Sequence, residues 1–119
     1  MEFANIVSEY YRRVDAGDTE WIVSMFALDG IYDRAGTHYN GNDAIRQFYE
    51  EDRKVSLTHS NIKLWDIRHD IFVEGDFLGK GKDGSSRKGQ FSDHWTFNDD
   101  GKVTLRRTSL FLGSDYVKE

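Results

Sequence analysis

The chain has 119 residues, 38% hydrophobic and 14% aromatic, with 16 basic against 21 acidic side chains and a formal charge of −5. That length suits one domain, residues 1–119, and the acidic balance gives nucleic-acid binding little electrostatic support. The chain contains no Cys, which excludes a disulfide framework, a thiolate metal site and a cysteine nucleophile.

The segment MEFANIVSEYYRR reads as a helix with acid near its start and no apolar h-region, which argues against a signal peptide. No run approaches membrane-spanning length, so the expected location is the cytoplasm. Over residues 3–16, Phe3, Ile6, Val7, Tyr10 and Val14 recur at helical spacing and Gly17 closes the helix. Asp18 or Thr19 caps a second helix carrying Trp21, Ile22, Met25 and Phe26. Asp29-Gly30 predicts a turn before a short strand from Ile31 to Arg34, and Gly41-Asn42 opens a third helix with Ala44, Ile45, Phe48 and Tyr49 on one stripe. From about Ser56 the pattern becomes β, with strands near 57–68, 70–81, 87–98 and 102–112 and hairpin turns at KDGS and NDDG. Lys80, Lys82, Arg87 and Lys88 flank the first of these turns as solvated hairpin ends. Helices followed by a long meander predict an α+β cone, with three N-terminal helices packed in a curved, mostly antiparallel sheet that is open at one end.

The residue that stands out is Asp93. In the run from Phe91 to Phe97, alternate side chains share a face, so Asp93 joins Phe91, Trp95 and Phe97 on the buried one while Ser92, His94 and Thr96 form the wet one. A carboxylate in an apolar wall must be paired, hydrogen-bonded or protonated. Tyr10 lies on the buried stripe of helix one, Tyr49 flanks the stripe of helix three, and Asp33 shares the parity of Ile31. Two inward carboxylates and two tyrosines suggest proton transfer without metal or cofactor. One carboxylate takes the proton and the other, held neutral, donates to the oxygen that becomes negative.

The stretches YYRRVDAGD, FALDGIYDRAG, GNDAIRQFYE and FSDHWTFNDDGKV resemble, in order and spacing, the bacterial Δ5-3-ketosteroid isomerases of the NTF2-like, or SnoaL-like, superfamily. The resemblance implies Asp33 as catalytic base, Tyr10 and Tyr49 as the hydroxyl network, and Asp93 as the protonated carboxyl that stabilises a dienolate. Arg34 stands where that family usually has proline. The implied substrate is a small hydrophobic carbonyl compound, bound by His59, Trp95, Phe91 and Phe26. A homodimer through the outer sheet face is implied as well, with Trp65 or other exposed aromatics at the contact.

Other readings stand beside these. Asp93 can pair with Arg107, which falls opposite it if the NDDG turn sets Phe97 against Val103. Asp33 can merely cap the Arg-Ala-Gly turn, and Tyr10 and Tyr49 can be core residues. His94 should face solvent or a partner. An inward His59 would favour a polyketide or terpenoid cyclase or dehydratase over an isomerase, and a non-catalytic small-molecule binder is the third possibility. The four His, at 38, 59, 69 and 94, lack metal-ligand spacing.

Overall fold

The computed structural model describes residues 2–52, 55–81 and 83–111. Helix α1, Phe3–Asp15, buries Val7, Tyr10, Tyr11 and Val14, the single stripe that 3.6-residue periodicity produces. Gly17 ends it in the left-handed region at φ 77°, with its N–H on the Val14 carbonyl and that of Asp18 on Arg13. Asp18 then caps α2, Thr19–Ser24, by accepting from the Trp21 N–H. The expected second helix ends early, because Phe26 already begins β1, Phe26–Arg34. The Asp29-Gly30 turn signal falls inside that strand, at a shift of register between Phe26 and Ile31. A strand that the sequence did not signal, β2 (Thr37–Asn40), follows before α3, Asn42–Gln47, which widens into a π-helical turn at Phe48–Asp52.

Four long strands complete the chain: β3 Val55–Ile67, β4 Asp70–Gly81, β5 Ser86–Phe97 and β6 Val103–Phe111. Lys82 and the predicted strand end at Leu112 lie outside the described residues. The sheet runs β2-β1-β6-β5-β4-β3, antiparallel throughout except where β1 lies parallel to β6. This is the expected α+β arrangement, N-terminal helices on the concave face of a curved six-stranded sheet. Among the described residues no helix is long and apolar enough to cross a membrane.

Curvature comes from bulges and from rings folded over glycines. Asn61, at φ 52°, sits in the irregularity between Ser60 and Lys63 of β3. Gly75 faces Phe91 across β4 and β5, and a Cβ on Gly75 would lie 2.8 Å from the Phe91 ring, so only glycine lets the ring close over the strand. Trp95, fully buried, forms the centre of the core with Ile71, Val73 and Val103.

One bulge decides the character of the interior. Phe97 pairs with Val103, as the turn predicts, but Thr96 pairs with Leu105, so β6 carries one residue more than β5 at Thr104. A one-residue slip moves every later side chain to the other face. Arg106 and Thr108, opposite Trp95 and Asp93, therefore point into the cone, and Arg107, opposite His94, points out.

Candidate active site

The interior is built around the Arg106 guanidinium. It lies 4.5 Å from the Tyr10 ring, 4.6 Å from Tyr32 and 4.5 Å from Trp95, a cation held among three aromatic faces. Its Nη2 donates to Asp93 Oδ2 at 3.0 Å, and its Nη1 donates to the hydroxyls of Tyr10 at 2.6 Å and Tyr49 at 2.8 Å. Tyr11 and Thr108 also donate to Asp93 through their hydroxyls. Trp95 Nε1 donates to the Tyr11 oxygen at 3.3 Å. Burial works against the charge on Arg106, yet Asp93 above all raises its pKa well beyond the ordinary value.

This geometry corrects two expectations about Asp93. Its partner is Arg106, not Arg107, because of the bulge at Thr104. Its oxygens are also occupied: Arg106, Tyr11 and Thr108 all donate to it, so it does not face the cavity as a hydrogen-bond donor.

Asp33 is corrected too. The register shift in β1 turns Tyr32 and Arg34 inward, opposite Arg106 and Thr108 of β6, and leaves Ile31 and Asp33 on the outer face. Asp33 accepts from the Gly36 N–H at 3.2 Å and from Arg107 Nε at 3.3 Å, with His38 Nε2 at 3.7 Å. It caps the turn after β1 and does not reach the interior, so it cannot serve there as a base.

Tyr10 and Tyr49 are brought together as expected, hydroxyl to hydroxyl at 2.6 Å. Arg106 Nη1 supplies a hydrogen to each oxygen, and one hydroxyl hydrogen bridges the pair. Burial first, and Tyr10 next, push the Tyr49 pKa well above the usual 10.0, so the hydroxyl stays a neutral donor.

His59 does turn inward. Its Nδ1 lies 2.7 Å from Asp15 Oδ1, its backbone N–H donates to Asp15 Oδ2 at 3.1 Å, and its ring packs edge-on to Phe91 at 5.2 Å. With Asp15 accepting from Nδ1–H, Nε2 is the ring nitrogen placed for proton transfer. Its side chain is 9% exposed. Tyr11 and Asp15 are one helical turn apart on α1, so one face of the helix supports both Asp93 and His59.

Tyr10, Tyr49, His59, Arg34, Arg106 and Phe91 line one cavity. Its free volume is about 30 Å³, room for one or two waters. His59 also lines a groove of about 320 Å³ with Ser8, Asp15, Ile62 and Leu64. A larger depression of about 440 Å³ contains Asn61, Lys63, Glu74 and Asp76 and shares only Phe91 with the cavity. Of the expected substrate contacts, His59 and Phe91 reach the cavity. Trp95 lies beneath Arg106, and Phe26 packs behind it at 6.2 Å, so both are core. His94 is on the outer face as expected, stacked on Phe72 at 4.2 Å and 2.8 Å from Asp70. Among the described residues no three acidic or histidine side chains gather to hold a metal ion.

The chain matches the SnoaL-like domain family over residues 7–106. No curated protein matches it in sequence. Among solved structures it is similar to a putative polyketide cyclase from Xanthomonas campestris, with TM-score 0.81, 16% identity, and coverage of 90% of this chain and 88% of that one. It is similar to SalBIII, an epoxide hydrolase/cyclase-like enzyme of pyran-ring formation in salinomycin, with TM-score 0.77, 21% identity, and coverage of 96% and 92%. It is similar as well to an epoxide hydrolase from M. tuberculosis, with TM-score 0.79, 13% identity, and coverage of 92% and 82%. Identities this low establish the shared fold alone.

Proposed function

This chain belongs to the SnoaL-like domain family, and we propose that it is a cofactor-free acid–base enzyme acting next to a carbonyl group, of the cyclase or dehydratase kind. The observation that carries this reading is the His59–Asp15 pair on the wall of the cavity that also holds Tyr10 and Tyr49. His59 Nε2 takes a proton from the carbon beside the carbonyl; the C–H pair becomes the carbon–carbon double bond and the carbonyl π pair moves onto the oxygen. The Tyr10–Tyr49 pair, tied to Arg106, donates to that developing enolate. Asp15 fixes the ring and offsets the imidazolium charge. The enolate carbon then attacks an internal carbonyl to close a ring, the carbonyl π pair moving onto its oxygen, which takes the proton from His59; alternatively a β-hydroxyl leaves as water with that proton.

A ketosteroid-type isomerisation uses the first half of the same chemistry but needs an inward carboxylate base. Asp33 faces outward and Asp93 is committed to Arg106, so His59 would have to return the proton to another carbon. The polyketide cyclase and the cyclase-like enzyme among the structural neighbours support the cyclase reading as fold-level analogy.

The test is deuterium incorporation beside the carbonyl of 4-oxopentanoate in D₂O. Wild type should accelerate exchange and His59→Gln should not. Binding of the oxo compound without any acceleration would make the chain a binding module. We also propose that a second copy covers the outer sheet face, where Trp65 is 47% exposed and paired with Phe72. Sedimentation should then show a dimer that Trp65→Lys dissociates.

A further inference from the structure

We propose that the substrate is an oxo acid, a carbonyl compound bearing a carboxylate, and that Arg34 at the cavity wall is the residue selecting it. This rests on the cavity being the active site and on its opening toward the groove of about 320 Å³ that shares His59 with it, since its own 30 Å³ holds only one or two waters. The chain as a whole carries a charge of −5, yet the lining of this cavity holds two guanidiniums and an imidazole and no carboxylate. The two guanidiniums differ. Arg106 is neutralised by Asp93 at 3.0 Å. Arg34, placed inward by the parity it shares with Tyr32, lies over the Phe48 ring at 5.5 Å and has no ion-pair partner among the described residues. The arginines at 12, 13, 46, 87, 106 and 107 each have one, and Arg68, exposed between β3 and β4, also has none among the described residues.

The hydrogen-bond inventory points the same way. Arg106 Nε is the one buried side-chain polar atom without a partner among the described residues, and it is a donor. The Arg34 fork adds five more N–H groups. Around the two guanidiniums the lining has donors in excess and no carboxylate. A carbonyl oxygen uses the tyrosine end, and a carboxylate, with two oxygens spaced for a guanidinium fork, complements Arg34. The aromatic platform under Arg34 holds the fork in place without competing for its hydrogens.

The experiment titrates 4-oxopentanoate and its methyl ester into 15N-labelled protein and follows amide shifts of residues 32–34 and 59. Wild type should bind the acid roughly tenfold or more tightly than the ester. Arg34→Gln should bring that ratio close to one, and Arg34→Lys, which keeps the charge but loses the fork, should retain part of it. Equal binding of acid and ester by wild type, an unchanged ratio in Arg34→Gln, or no binding of the acid at millimolar concentration would each overturn the proposal. Because the ratio is read without turnover, it fails separately from the His59 chemistry. Acid selectivity lost in Arg34→Gln alongside normal exchange in His59→Gln would keep the subsite and reject the base. Lost exchange in His59→Gln with no selectivity would do the reverse.

Discussion

Arg106 stands directly opposite Trp95 across the β5–β6 ladder, its guanidinium 4.5 Å from the indole, only because β6 carries the extra residue Thr104. That residue turns a surface arginine into the centre of the site. Deleting Thr104 should exchange the faces of Arg106 and Arg107. It should unfold the chain or abolish its α-proton exchange, as circular dichroism and the D₂O assay would show. A well-folded, active deletion variant would contradict the register argument.

The Arg106–Asp93 pair is buried on both sides, with side-chain exposures of 5% and 0%. Removing one member of such a pair typically costs about 3–5 kcal/mol, whereas replacing both with apolar groups costs far less. Arg106→Leu should therefore lower the unfolding free energy by about that amount in urea titration, and adding Asp93→Leu should restore much of it. Additive losses in the double variant would show that the pair does not act as a unit.

Tyr10→Phe removes one acceptor from Arg106 and one member of the hydroxyl pair. A buried donor left without its acceptor costs about 1–3 kcal/mol, so the melting temperature should fall measurably. Exchange should fall by roughly 10²–10³. A stability loss with undiminished exchange would make Tyr10 a core residue only.

Asp33→Asn separates this site from the one the motif resemblance implies. Asp33 touches Gly36, Arg107 and His38 on the outer face. The amide variant should keep exchange within a few-fold of wild type and lose at most about 1 kcal/mol, the scale of an exposed ion pair. A loss of 10² or more in exchange rate would return Asp33 to the chemistry.

Tyr11 and Tyr49 are held well above the ordinary value of 10.0, by burial first, then by Asp93 for Tyr11 and by Tyr10 for Tyr49. A raised folded-state value means that their contribution to stability is complete below pH 10.0, the unfolded value, and is lost as the pH rises beyond it. Alkaline titration should show these two tyrosines ionising only together with unfolding, as tyrosinate absorbance rising in step with loss of ellipticity. Full ionisation in a folded chain would contradict their burial.

The architecture and the Tyr10–Tyr49 meeting were legible because periodicity is a local property. The Val7 to Val14 stripe and the Phe91 to Phe97 alternation each sit inside one element. The identities of the inward groups on β1 and β6 were not legible, since both strands carry register shifts that turn chemistry cannot signal. Arg106-Arg107 offered two adjacent candidates, and only the bulge chooses between them. Ile31 misled because a β-branched residue on an outer face looks like a core residue in isolation. Asp15 carried no such signal: it lies one helical turn after Tyr11, which stands beside the Tyr10 stripe that periodicity marks. Its partner lies 44 residues away, across a bulged strand.

The central claim is that His59 is the proton acceptor, and chemical rescue tests it most directly. His59→Gly removes the imidazole and leaves Tyr10, Tyr49 and Arg106 in place. Exchange of 4-oxopentanoate in D₂O should fall by roughly 10²–10⁴ and should recover as free imidazole is added, in proportion to its neutral form. Exchange at the wild-type rate in His59→Gly without imidazole, or a depressed rate that imidazole leaves unchanged, would contradict the account.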